Sequence, residues 1–164
     1  MTRLRIAVLA ALIVGLCAPI AASPVSASAA TAKSAGDCSL NIQNPHYSDG
    51  AGGVISKGTW KCAVVPTDIH FSGGLNLWLC IDGKPEKSEY YLAIDPNCSI
   101  QGQYMTNFKI TKANKPYVKY VPPGKGTGAQ GYGWWIACAV WYSKHDGTKG
   151  KTVTSFSNVW YGGT

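Results

Sequence analysis

Beyond Arg5 the chain contains no arginine. Arginine supplies the planar fork that grips phosphate or guanine through two hydrogen bonds, so its absence argues against a dedicated nucleic-acid reader or ribonuclease. Glutamate is nearly as scarce, with Glu86 and Glu89 the only two. Two carboxylates can hydrolyse a glycosidic bond. These two follow the turn D-G-K-P and have lysines beside them, the setting of a solvated surface. There is no G-x-S-x-G elbow for a nucleophilic serine. No two cysteines stand two residues apart, so neither a redox pair nor a zinc knuckle is encoded. His46, His70 and His145 occur singly, without H-x-H or H-E-x-x-H spacing. No catalytic set, metal site or cofactor site is expected, and no window shows a helical period.

What is present begins with a targeting signal. Arg3 and Arg5 precede an apolar run over residues 6–16, and small residues follow that suit cleavage near Ala27, Ala29 or Ala30. The run is short for a bilayer span and is followed by Pro19 and Pro24. Residues 1–30 are therefore expected to be a signal peptide, and the protein to be secreted, with no membrane attachment after cleavage. About 134 residues remain, which suits one domain. They hold thirteen lysines against eight acids, a basic surface suited to solubility or to weak attraction toward an anionic cell wall.

Five cysteines survive cleavage: Cys38, Cys62, Cys80, Cys98 and Cys138. In an oxidising compartment they should pair. Five is odd, so one thiol is left over, either buried and inert or bonded to a partner chain. Sequence alone does not choose the pairing.

The longest apolar run after the leader is G-Y-G-W-W-I-A-C-A-V-W-Y, residues 131–142. It is apolar on both sides of an extended strand, the pattern of a central strand covered on both faces. Residues 74–82 alternate cleanly, with Leu75, Leu77, Leu79 and Ile81 on one side. Further strands are expected over 38–42, 54–65, 88–94, 98–110, 117–121 and 152–161. The glycine-rich 124–131 segment lacks the spacing of a phosphate cradle and reads as a flexible connection. The expected fold is all-β: an antiparallel, Ig-like β-sandwich of about seven or eight strands, stapled by disulfides. Residues 31–37 read as a flexible arm carrying Lys33, and residues 38–164 as the sandwich.

Six tryptophans and nine tyrosines exceed the needs of a small core. Trp60, Trp78 and Trp134 share strand faces with cysteines and are expected inside. Trp135, Trp141, Trp160 and Tyr161 are the candidates for an exposed binding face, which would stack on a glycan or anchor a protein partner.

The motifs C-S-L-N-I-Q-N-P-H-Y-S, G-G-V-I-S-K-G-T-W-K-C, L-N-L-W-L-C and C-S-I-Q-G-Q-Y resemble those of small secreted β-sandwich proteins of filamentous soil bacteria. That resemblance covers most of the mature chain, and within the group the chain is similar in size and layout to the adaptor subunit of secreted umbrella toxin particles. That resemblance implies a non-enzymatic role, joining a lectin subunit to a large scaffold-and-toxin chain. It implies that the arm around Lys33 engages the lectin and the sandwich engages the scaffold. An unpaired cysteine would suit a covalent link. The residues alone lead to a secreted interaction protein, with strand addition at a sheet edge as one mode of capture and a polysaccharide-binding module using Trp135, Trp141 and Trp160 as the alternative.

Overall fold

The computed structural model describes residues 33–35 and 37–164, so the segment expected to be a signal peptide lies outside the described residues. The chain runs β1 (Lys33–Ala35), β2 (Cys38–Ile42), β3 (His46–Ser48), β4 (Gly53–Cys62), β5 (Asp68–Cys80), α1 (Glu89–Ile94), β6 (Cys98–Tyr104), β7 (Tyr117–Val121), β8 (Tyr132–Lys144), β9 (Lys151–Phe156) and β10 (Trp160–Gly163). Two antiparallel sheets pack face to face. In the first, β4 is flanked by β2 and β3 on one side and by β7 on the other, with β1 outside β2. In the second the order is β6-β5-β8, and β9 and β10 share the far side of β8.

The apolar run does form the central strand. β8 pairs with β5 from Asp68↔Lys144 to Cys80↔Trp134. Its inward face reads Trp135, Ala137, Ala139, Trp141, all with no exposed surface. The two alanines leave room for the facing sheet, and the tryptophans close the space at either end. Leu75, Leu77 and Leu79 of β5 join them, with Trp60, Leu40 and Ile42 from the first sheet. Trp60 lies 5.1 Å from Phe71 and 5.0 Å from Phe108, ring centre to ring centre. An aromatic ring buries roughly 150–250 Å², so these contacts hold the sheets together at about 25 cal/mol per Å². Ile81, expected to continue the inward face of β5, lies beyond the strand end and is exposed.

The sandwich has little open edge. β1 lies against β9, β3 against β10 and β6 against β7. The last contact needs a glycine, since a Cβ at Gly102 would sit 2.7 Å from the Pro122 ring. Gln101 is skipped where the β5–β6 register shifts, which bulges that edge strand. Such devices discourage strand addition.

Four expectations change. Residues 88–94 were expected as a strand because tyrosine and isoleucine favour the pleated state. They instead supply α1, whose N-cap Ser88 accepts a hydrogen bond from the Tyr91 amide at 3.5 Å. The end of the expected 98–110 strand is irregular after Tyr104, although Phe108 and Ile110 still reach the main core. Residues 33–35 of the arm form β1, paired with β2 from Lys33↔Leu40 to Ala35↔Cys38. The described residues form ten strands, of ten to thirteen residues in β4, β5 and β8, where about seven or eight were expected.

Candidate functional site

The cysteines pair Cys38–Cys62 and Cys80–Cys98, leaving Cys138 free. Each bridge joins adjacent strands of one sheet, β2 to β4 and β5 to β6. Antibody domains instead link the two sheets. Closing loops of 24 and 18 residues, each bridge stabilises the fold by about 3 kcal/mol in the chain-entropy picture. Cys138 lies on the outward side of β8, opposite Asn76 and Phe156. Trp78, Ile136 and Leu92 cover it completely. Burial pushes its thiol pKa up to about 12, with the nearby Glu89 carboxylate adding to the shift. A neutral, enclosed thiol is a poor nucleophile, so this sulfur is not presented for a bond to another chain.

The tryptophan assignment is corrected. Trp135 and Trp141 were expected on an exposed face, yet both are fully buried between the sheets. Their indole nitrogens donate inward, Trp135 Nε1 to the Gly162 carbonyl at 2.9 Å and Trp141 Nε1 to Ser155 Oγ at 3.1 Å. Neither can stack on a ligand. Trp160 is half-buried against the main core. Of the four candidates only Tyr161 is well exposed, at 52%. Lys33 sits in β1 opposite Leu40. Trp60 and Trp78 are inside as expected, whereas Trp134 is only half-buried.

An aromatic cluster does form, from partly different residues. Tyr161 of β10 stands opposite Trp134 of β8, their rings 4.7 Å apart. Tyr132 meets Tyr161 edge-on at 5.2 Å and is 62% exposed. Beneath them Trp134 packs on the small core containing Cys80, against which Cys98 also packs. A Cβ at Gly133 would lie 2.7 Å from the Cys80 carbonyl oxygen, so glycine permits this close approach of β8 to the end of β5. The three rings form a firm apolar platform carrying two phenol groups. Tyr132 and Trp134 were missed because a pattern apolar on both sides does not say which side is covered. Their position opposite the V-W-Y end of the last strand was the available signal.

A second exposed feature is a groove of about 540 Å³ at β7. Tyr104, Val118, Lys119, Tyr120, Pro122 and Lys125 are among its lining residues.

Each histidine has its own separate neighbours. His46 Nδ1 donates to the Asn44 carbonyl at 3.0 Å. His70 Nδ1 is 3.1 Å from Asp68 Oδ1 at the surface, and its ring stacks on Tyr142. His145 is buried, its Nε2 3.7 Å from Cys38 Sγ. Glu86 lines a groove with Lys84 and Tyr91 that Glu89 does not line. Among the described residues no group of three histidine, cysteine or acidic side chains is placed to hold a metal ion, and no helix is long and apolar enough to cross a membrane. Compared with known protein families, curated proteins and solved structures, the chain finds no match.

Proposed function

We propose that this is a secreted, non-enzymatic adaptor, a stiff sandwich that holds a partner protein as a joining subunit of an extracellular antibacterial toxin assembly. The observation that carries the reading is the Tyr132–Tyr161–Trp134 cluster. Tyrosine and tryptophan present large contact area at little entropic cost and dominate the anchoring points of protein interfaces. Here they rest on a disulfide-clipped core, so they are ordered before a partner arrives. Two disulfides fit an oxidising, extracellular setting. The motif resemblance supports the toxin assembly in particular. With Cys138 enclosed, the adaptor holds its partner without a covalent bond.

The test captures partners from native culture medium with the wild type and with a Tyr132→Ala/Tyr161→Ala variant, identifying retained proteins by mass spectrometry. The expected result is a specific secreted partner whose affinity falls at least about tenfold in the variant. Non-reducing gels should show the protein at its monomer size. Equal capture by the variant would remove the cluster from the interface. A larger band that collapses on reduction would overturn the non-covalent reading.

A further inference from the structure

The groove at β7 is a built site that the adaptor reading leaves unused. Val118 and Tyr120 face outward from β7 and are 39% and 50% exposed. One wall is the 122–127 segment, and the other is the turn through Ser48, Gly50 and Ala51. The glycine-rich segment was expected to be flexible, but its far end is tied to β4. The Ala129 amide donates to the Val54 carbonyl at 2.9 Å, and the Val54 amide returns a bond to Ala129 at 2.8 Å. Gln130 Nε2 donates to the Gly52 carbonyl at 2.6 Å. Both walls therefore hang from the same end of β4.

The charge of the groove is one-sided. Lys119 and Lys125 line it, and no carboxylate does; Asp49, the nearest acid in sequence, is exposed in the adjoining turn and is not part of the lining. Lys119 is held in place, its ammonium 5.0 Å from the Tyr104 ring centre and 4.9 Å from that of Tyr117. Cation–π attraction of this kind orders a side chain that would otherwise be mobile. Lys57, paired with Tyr120 across the strands, adds a third positive charge beside the groove.

We infer that this groove binds a carboxylated polysaccharide, with the Tyr120 ring stacking on a sugar face and Lys125 meeting a carboxylate, while Lys119, held from the other side of β7, and Lys57 add positive charge around them. Stacking on an exposed ring needs no backbone partner. A peptide added as a strand would need one, and β6 already lies against β7 while Pro122–Pro123 end it. Lysines meet single carboxylates as point charges, and the described chain has no guanidinium to grip phosphate in two-pronged fashion. The site is separate from the Tyr132–Tyr161–Trp134 cluster and does not depend on it.

The test is affinity electrophoresis of the secreted protein through native gels containing polygalacturonate, with dextran gels as the neutral reference. Retardation by polygalacturonate and not by dextran is expected, reduced but not abolished by added salt, because stacking is not screened as charge is. Tyr120→Ala should weaken retention about tenfold, as should Lys125→Glu. Lys61→Glu, the same charge change outside the groove, should weaken it less than twofold, and Tyr161→Ala should leave it unchanged. Melting temperatures confirm folding, and Lys125 lies on an exposed loop where replacement is tolerated. Equal loss in Lys61→Glu and Lys125→Glu, or none in Tyr120→Ala, would reduce the effect to overall charge and overturn the site. Stronger competition by polyphosphate or polyglutamate than by galacturonate oligomers would overturn the sugar assignment in favour of a phosphate polymer or an acidic protein.

Discussion

The two outer faces of the sandwich were built from similar strands and ended in opposite states. Outside the second sheet, Trp78, Cys80, Ile136 and Cys138 are covered by Leu92 of α1, with Phe156, Val159 and Trp134 around them, which makes a second small core. Outside the first sheet, β4 presents Ile55, Lys57, Thr59 and Lys61 while β7 presents Val118 and Tyr120, and none of these is fully covered. The charges divide along the same line. Asp82, Glu86, Glu89 and Asp95 all lie in the segment carrying α1, whereas the outward residues of β4 and β7 include no acid. The covered face spends its apolar residues on stability. The bare face keeps lysine, hydroxyl and ring surface available for contact.

That contrast can be broken most forcefully at Trp78. Trp78→Ala should cost about 3–5 kcal/mol, because the ring leaves a cavity under α1. Urea unfolding measures it, and a cost near zero would mean that the covered face is not a core. The next effect is in pH. The thiol of Cys138 titrates near 9.0 when free and near 12 when buried. Between those values the folded chain keeps a proton that the unfolded chain has lost. Its contribution is therefore complete below pH 9 and declines as pH rises toward 12, by up to about 1.4 kcal/mol per pH unit. Stability curves should lose this part of their alkaline slope in Cys138→Ala. Smallest is the bare face, where Lys61→Ala should move stability by less than about 0.5 kcal/mol. A larger change would show that the first sheet carries a hidden structural contact.

Much of the architecture was legible because burial leaves a period in the sequence. The alternation of Leu75, Leu77 and Leu79 placed β5, and a run apolar on both sides placed β8 at the centre. The same double-sided pattern hid the site. Trp134 and Trp135 look alike in a strand with no polar side, and only the partner sheet decides which is enclosed. The alternation of large and small in Trp135-Ala137-Ala139-Trp141 carried that information, since alanines mark where a facing sheet comes close. α1 was illegible for another reason. Six residues are too few to show a 3.6-residue period, and its only buried residue is Leu92. The pairing of the cysteines was likewise set by strand register, which brings Cys38 opposite Cys62 and Cys80 opposite Cys98.

β8 also has a mechanical meaning. Its thirteen residues span about 40 Å at the rise of an antiparallel strand. Tyr132 stands at one end. Beyond the other, His145 touches Cys38 at the start of β2, which pairs with the end of β1 at Ala35. A load applied between the aromatic cluster and the N-terminal side runs along β8 and its long ladder with β5. The hydrogen bonds of that ladder lie across the direction of pull, so they share the force in shear. A molecule loaded this way yields by sliding a whole strand at once, and its lifetime under tension is set by a slow unfolding rate.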